Sequence, residues 1–248
     1  QLSLYALGMY VVLGTKRNAP TSSLNLSYKS THRLTTRIQT RHTTGPKNTL
    51  IYAPRLDQVF TLPAIGTAGG TISAINTTLF QVISFSHLSF SSTLSLPSTV
   101  TDKTIAITNI YAPTSCTLKQ QFLDELLAIT QPDDSPWLLV GDFNLLRYPS
   151  DKNNDAFRQS EANSFNHTID ELALIKLPLL DRQYTWSNNT ATPTLERIYR
   201  AFLNLVWADD FPNSSLFSLT RFTSDHIPLL IHVTTTITRS NFIKFEPG

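Results

Sequence analysis

The chain has one cysteine in 248 residues, Cys116. A single thiol forms no internal disulfide, so no covalent staple supports the fold, and a cysteine-based zinc site is excluded with it. No apolar run approaches the roughly 20 residues that a membrane-spanning helix needs. The apolar stretch Leu4 to Gly14 lacks the basic flank and small-residue cleavage site of a signal peptide and reads as a first strand. Acid is missing from the front: residues 1–56 contain no Asp or Glu, and the first Glu is Glu125. Residues 1–120 hold ten Lys or Arg against two acids, Asp57 and Asp102, a net +8; residues 121–248 hold ten against sixteen, a net −6. The overall +2 therefore hides a basic half that could attract phosphate backbones, or an accident of composition. No internal repeat is visible, and sequons such as Asn76-Thr-Thr78 are what so Ser/Thr-rich a chain carries by chance. The first residue, Gln1, reads as the start of a fragment or a mature form.

Hydrophobic residues make up 41% of the chain, enough for a substantial core, and fourteen Phe with eight Tyr suit a sheet-rich protein. Residues 15–50 are rich in Ser, Thr, Arg, Lys and His without periodicity and read as loop or poorly ordered chain. Strands are predicted at Thr71 to Ile75, at Leu79 to Phe85 and at Thr104 to Tyr111, whose alternation suits a half-buried strand. Thr117-x-x-Gln120 has the form of a capping box opening a helix, with Leu118, Phe122, Leu126 and Ile129 at helical spacing. Trp137 to Val140 is a short continuous apolar run, as in a strand buried on both faces. Ser160 to Lys176 reads as a second helix with Ala162, Phe165, Ile169 and Leu172 on one face. Short strands follow at Leu179-Leu180 and Tyr184 to Trp186, Asn188-Asn189 marks a turn, and Ile227 to Val233 is a last strand. Strands mixed with helices of this length argue an α/β or α+β fold.

Three places put polar groups at an end of an apolar strand. Gly141-Asp142-Phe143-Asn144 follows the buried run; Asp142 and Asn144 offer hard oxygens suited to Mg²⁺ or Mn²⁺ or to orienting a water, and Gly141 would let the backbone approach a ligand. The same four residues also make an ordinary turn. Ser224-Asp225-His226 precedes the last strand; Asp225 could supply a carboxylate and His226 an imidazole for phosphate, or the three could simply begin a strand. Tyr111, in Asn109-Ile-Tyr-Ala-Pro113, ends a strand before Pro113 stops it; its phenol could meet a phosphate oxygen or be a half-buried aromatic.

In this order, Asn-x-Tyr-Ala-Pro, Gly-Asp-Phe-Asn and Ser-Asp-His resemble the endonuclease/exonuclease/phosphatase superfamily. The longer passages Ser135-Pro-Trp-Leu-Leu-Val-Gly-Asp-Phe-Asn144, Pro149-Ser-Asp-Lys-Asn-Asn154, Leu179-Leu-Asp-Arg-Gln-Tyr-Thr-Trp-Ser-Asn-Asn189 and Thr194-Leu-Glu-Arg197 resemble plant LINE-type (non-LTR) retrotransposon endonucleases. The resemblance covers roughly residues 60–245. It implies a four-layer sandwich of two mixed sheets flanked by helices, with the site where strand ends converge. It also implies a Mg²⁺-dependent phosphodiesterase that nicks DNA, intracellular and nuclear if functional. By position, Asp142 would activate or place the attacking water and Asn144 orient it. His226 would contact the scissile phosphate, Asp225 would assist at the metal or water, and Tyr111 would hydrogen-bond the phosphate. The metal would fall to Asp225 and Asp142.

The chain also departs from this pattern. The family's early metal-binding Glu, in a Gln-Glu-Thr-Lys-like strand end, has no counterpart before Glu125. Gln39-Thr-Arg41 has the form of a remnant with the Glu deleted, and Asp57 is the one candidate substitute. The family's Arg-Ile/Leu-Asp-Arg has an acid, partner of the histidine, where Arg197-Ile-Tyr-Arg200 has Tyr199. A copy with impaired catalysis is expected, with residues 1–60 as a degenerate part of the domain, 61–240 as its body and 241–248 as the start of a linker. No reverse transcriptase segment follows. Two other readings stand beside this one: a non-catalytic nucleic-acid-binding remnant, and a small-molecule or lipid phosphoesterase of the same superfamily.

Overall fold

A computed structural model of the chain describes residues 58–63, 70–77, 80–98, 102–130, 134–219 and 225–233, and the strand assignment of 9–12. The readings made on residues 15–50, on Asp57, on Ser224 and on residues 241–248 lie outside the described residues. The elements in chain order are β1 (Met9–Val12), β2 (Gln58–Leu62), β3 (Thr71–Ile75), β4 (Ser84–His87), β5 (Ser91–Pro97), β6 (Thr104–Tyr111), α1 (Cys116–Ala128) and β7 (Trp137–Asp142). After the 3-10 turn Pro149–Asp151 come α2 (Gln159–Glu171), β8 (Ile175–Leu177), β9 (Trp186–Ser187), β10 (Leu195–Glu196), β11 (Tyr199–Leu203), α3 (Leu205–Asp210), β12 (Ser215–Ser218) and β13 (Leu229–His232).

The apolar run Trp137 to Val140 forms the middle of the molecule. It extends into β7, buried at every residue, which pairs in parallel with β6 and antiparallel with β11. The full sheet has the order β4-β5-β6-β7-β11-β8 and is mixed. Side chains alternate across it. Leu138, Val140, Ile105, Ile107, Ala201 and Leu203 join one core with Ile75 of β3, Leu216 of β12, and Val233 after β13. Leu139, Ala106, Ile110 and Phe202 join the other, under Phe122 and Leu126 of α1 and Phe165 and Ile169 of α2. The second core is aromatic: Phe143 meets Phe122, Phe165 and Phe202 at ring-centroid distances of 6.4, 5.5 and 5.1 Å. Truncating such a ring to alanine costs about 3–5 kcal/mol. The result is an α+β sandwich, with the other strands and α3 on one face of the mixed sheet and α1 and α2 on the other.

The front of the chain contributes to the strand layer: β1 and β2 flank β3, both antiparallel to it, and β2 runs across residue 60. Polar side chains stitch the layers together. Thr71 Oγ1 lies 2.8 Å from Ser92 Oγ, and Asn109 donates from Nδ2 to the Ile72 carbonyl at 3.2 Å and to Ser73 Oγ at 3.3 Å.

Several local readings change. Thr104 to Tyr111 is buried on both faces rather than half-buried, and Thr108 and the Asn109 Nδ2 find partners inside the protein. Thr108 Oγ1 lies 2.9 Å from Thr93 Oγ1 and accepts from Trp137 Nε1 at 2.9 Å. No capping box opens α1: it begins a residue earlier than Thr117, Ser115 makes no side-chain cap, and Ser115 and Thr117 hydroxyls bond each other instead. The second helix stops at Glu171, because Ala173 takes φ +49° and turns the chain, so Ile175–Leu177 becomes a strand although the apolar pattern continues through it. The strand expected at Leu79 to Phe85 is displaced to Ser84–His87, and the last strand is shortened to Leu229–His232, paired only with β12.

Candidate active site

β6, β7 and β11 are neighbours, and their registers put Tyr111 beside Asp142 and Asp142 beside Tyr199. Strands stand about 4.8 Å apart, so these three residues form a row roughly 10 Å long at one end of the sheet. By strand alternation all three side chains lie on the face turned toward the other strands, with Val140 and Ala201. Asp142 and Tyr111 are 1% and 6% exposed, so neither meets solvent freely.

The loop after β7 folds back on this row. Asn144 holds φ +45°, a conformation to which Asn is better suited than most residues. Its backbone N–H donates to Asp142 Oδ1 at 3.1 Å and its Nδ2 donates to the Ala112 carbonyl at 2.7 Å. The Ala112 N–H donates to the Asp142 carbonyl at 2.8 Å. Asn144 therefore joins the exits of β6 and β7. Gly141 is required for a different reason from the one expected. A Cβ there would sit 2.1 Å from the Ile110 carbonyl oxygen, so the glycine admits the neighbouring strand rather than a ligand.

The second rim comes from the segment before β13. Trp186 and His226 form an isolated antiparallel bridge, and Ile227 N–H donates to the Thr185 carbonyl at 2.9 Å. These contacts bring His226 against β11, where its ring stacks on Tyr199 with centroids 4.8 Å apart and planes 15° from parallel. Asp225 Oδ1 lies 3.7 Å from His226 Nε2, and Asp225 Oδ2 accepts from Trp186 Nε1 at 3.1 Å. The structure thus brings Tyr111, Asp142, Asn144, Asp225 and His226 around Tyr199. Burial, then the negative charges that Asp142, Tyr111 and Asp225 carry when ionised, raises the Tyr199 phenol well above its ordinary range, so it stays protonated.

Three residues of this arrangement were not among the sequence candidates. Tyr199 figured only as a missing acid; its flat stack on His226 depends on a contact between β11 and a segment about 27 positions away, which no local pattern reports. Trp186 holds Asp225. Thr185 accepts at its hydroxyl from the Ile198 and Tyr199 N–H groups at 3.1 and 3.0 Å and so sets the start of β11. The first Glu, Glu125, has a structural task. Its carboxylate accepts from the Ser89 and Phe90 N–H groups and the Ser91 hydroxyl, holding the β4–β5 turn on α1.

Compared by sequence, the chain matches no family model and no curated protein. Compared by structure, it is similar to the endonuclease domain of TRAS1, a telomere-specific non-LTR retrotransposon, with a TM-score of 0.57 and 14% identity over 72% of this chain and 81% of that one. It is also similar to the AP endonuclease LMAP from Leishmania major, with a TM-score of 0.56 and 12% identity over 72% and 70% of the two chains. The chain has the endonuclease/exonuclease/phosphatase fold. At these identities the likeness establishes the architecture, and the chemistry has to come from the side chains.

Among the described residues no three His, Cys, Asp or Glu stand together where they could hold an ion. Asp142 and Asp225 are each already engaged, Asp142 Oδ1 by the Asn144 N–H and Asp225 Oδ2 by Trp186. Mg²⁺ gives up its water reluctantly and is held by one or two carboxylates; Asp142 and Asp225 are the two that the described site offers, each with one oxygen already accepting a hydrogen bond. No helix among the described residues is long and apolar enough to cross a membrane, and Cys116 is a free, exposed thiol.

Proposed function

We propose that the chain is an endonuclease domain of the non-LTR retrotransposon type, of the plant LINE kind, built to act on DNA phosphodiesters and catalytically impaired in its present sequence. The observation that carries this is the row Tyr111–Asp142–Tyr199 with His226 stacked on its last member. A phenol, a carboxylate and an imidazole at one sheet end suit a phosphodiester: Tyr111 and His226 donate to non-bridging oxygens, and Asp142, with Asn144, orients the attacking water. Asp225 keeps a negative charge beside His226. Donors aimed at a phosphoryl group stabilise the charge that develops on it. In the fold's metal-dependent chemistry a divalent ion would add to this charge neutralisation.

The same geometry supports the impaired reading. A carboxylate beside a histidine fixes its tautomer and ring angle through a hydrogen bond. Tyr199 offers a flat face instead, which holds the ring without that polar constraint. Asp142 is 1% exposed, which limits the access of a water or an ion to its carboxylate. Loss of a positioned acid or base costs about 10²- to 10⁴-fold in rate.

The test is a supercoiled-plasmid nicking assay with Mg²⁺, run beside a DNA-binding measurement across a salt series. Nicking should stay at background and be unchanged by Asp142→Ala, while DNA binding should weaken steeply with salt as phosphate contacts release counterions. Nicking that needs Mg²⁺ and disappears in Asp142→Ala would refute the impairment. Absence of DNA binding at low salt, with hydrolysis of a small phosphoester, would refute the DNA reading.

A further inference from the structure

Residue 200 follows Tyr199 on β11 and points through the sheet to its helix-covered face, where its register partner on β7 is Gly141, which fills no space there. That residue is Arg200, 2% exposed. Its Nη2 donates to Asp151 Oδ2 at 2.9 Å and to the Leu145 carbonyl at 3.3 Å. Its Nε and Nη1 are buried without a hydrogen-bond partner among the described residues. A buried donor left unsatisfied is costly, more so on a charged group, so two on one guanidinium point to something that receives them.

The charges nearby say what kind of group that is. Arg147, Lys176 and Arg197 all act on one another's surroundings through Arg200 and Asp151, and Asp151 is the one carboxylate with a leading effect on either Lys176 or Arg200. Glu196 does not help, since it is paired with Lys152 at 2.7 Å. Arg197 spends its donors on the Gln183 and Arg182 carbonyls, and Arg147 donates from Nε to Asn166 at 2.5 Å with its guanidinium over the Phe202 ring. Lys176, on β8 opposite Phe202, sits on the same side of the sheet as Arg200. Arg200 meets Asp151 at 2.9 Å and Arg197 Nε approaches it at 4.0 Å, while Arg147 and Lys176 add their charge to the same neighbourhood, so four cations act against one carboxylate. A water molecule could take up the orphaned N–H groups but would leave the excess charge uncompensated; an anion does both. Burial of Arg200 and Asp151 excludes a polymer backbone and admits only a small ion.

We propose that this cluster is a binding site for a small inorganic oxyanion of the phosphate or sulfate class, received by Arg200 Nε and Nη1 and by the Lys176 ammonium. The site lies on the opposite face of the sheet from the Asp142 row and does not depend on the nuclease reading.

The experiment is the thermal unfolding midpoint and the binding heat of the full chain titrated with inorganic phosphate at constant ionic strength, with chloride as a second probe. Lys176→Met and Lys176→Glu are run in parallel. Wild type should show saturable binding and a midpoint that rises by roughly 3–5 °C at tenfold excess over Kd. Both variants should lose the saturable part and keep only the linear rise that excluded anions give any protein. Lys176→Glu supplies the negative charge covalently, so its midpoint without anion should match wild type with phosphate. A wild-type curve with no saturable part would overturn the proposal and assign the orphaned donors to water. A saturable increment that survives in Lys176→Met would overturn it too, since the ion would then be held elsewhere, the Asp142 row included. Saturation by chloride alone would replace the oxyanion with a halide and overturn the ligand class.

Discussion

Tyr199 and Arg200 are neighbours on one strand, yet they belong to two polar regions of opposite character. On the strand-layer face, Tyr199 stands among Asp142, Tyr111 and Asp225, with His226 as the basic group against it. On the helix face, Arg200 stands among Arg147, Arg197 and Lys176 with Asp151 as the acid. A single backbone carries an acid-rich site and a cation-rich site a few ångströms apart, and the apolar sheet between them keeps the charges from cancelling. The contrast teaches that the first region avoids its excess charge by holding a neutral ring where an acid is expected, whereas the second has no neutral substitute and depends on one carboxylate.

That dependence sets the largest expected effect. Asp151 accepts from the Arg147 and Tyr148 N–H groups at 2.9 and 3.1 Å and from Arg200 at 2.9 Å. Asp151→Asn keeps the size and removes the charge, leaving the cations unopposed. Breaking one partner of a buried ion pair costs about 3–5 kcal/mol against the roughly 5–15 kcal/mol of an ordinary domain, so the urea midpoint of the variant should fall by about a third or more. Asp142→Asn on the other face should cost clearly less, because it relieves a carboxylate near Asp225 while losing one acceptor. Equal losses in the two variants would break the comparison.

How far such regions can be read from the text differs in the same way. Tyr111 and Asp142 were legible because an apolar run that stops at a polar residue marks a strand end, and Asn144 because Gly-Asp-x-Asn turns the chain there. The parallel pairing of β6 with β7 across α1 was not read from the text; the register supplies it. The cation cluster was not legible: Arg147, Lys176 and Arg200 come from three separate segments, and only the registers of β8 and β11 bring the last two to one face. Lys176 was moreover assigned to a helix, since Leu172, Leu174 and Leu177 prolong the apolar pattern past the turn that Ala173 makes with φ +49°. A non-glycine residue in that conformation leaves no mark that a pattern of apolar spacing can detect. The fold as a whole was readable because it depends on buried runs; the partners of individual charges depend on tertiary contacts.

Alkaline pH reaches both faces, since burial lowers Lys176 and brings Arg200 to about 10, so the Tyr199 part is read as the difference between wild type and Tyr199→Phe. The folded phenol titrates above its unfolded value, which is near 10, because the site disfavours its charged form. Its stabilising contribution is therefore whole below pH 10 and is lost as pH rises from there through the folded value, where the unfolded chain has released a proton that the native one still holds. Tyr199→Phe keeps the stack on His226 and has no proton to lose. Its stability should fall less steeply than wild type between pH 10 and 11 in urea titrations, with the two proteins within about 1 kcal/mol at pH 7, as for the loss of a single hydroxyl. Superimposable curves above pH 10 would mean that the phenol is not shielded in the folded chain.

The smallest effect belongs to the rim. Trp186 Nε1 donates to Asp225 Oδ2 across 3.1 Å, and Asp225 is half-buried. The indole has no other donor, so Trp186→Phe removes this bond while leaving an aromatic ring in place. A hydrogen bond to a carboxylate that water can still reach is worth about 0.5–1.5 kcal/mol. Its loss should lower the unfolding midpoint by only a few degrees in a chain of this size. The informative readout is the His226 ring proton spectrum: with Asp225 released, the carboxylate turns freely beside Nε2, and the His226 resonances should shift and broaden while those of His167, on α2, stay put. An unchanged His226 signal would place the hold on that ring wholly in the Tyr199 stack, and the polar and aromatic sides of the cleft would then act separately.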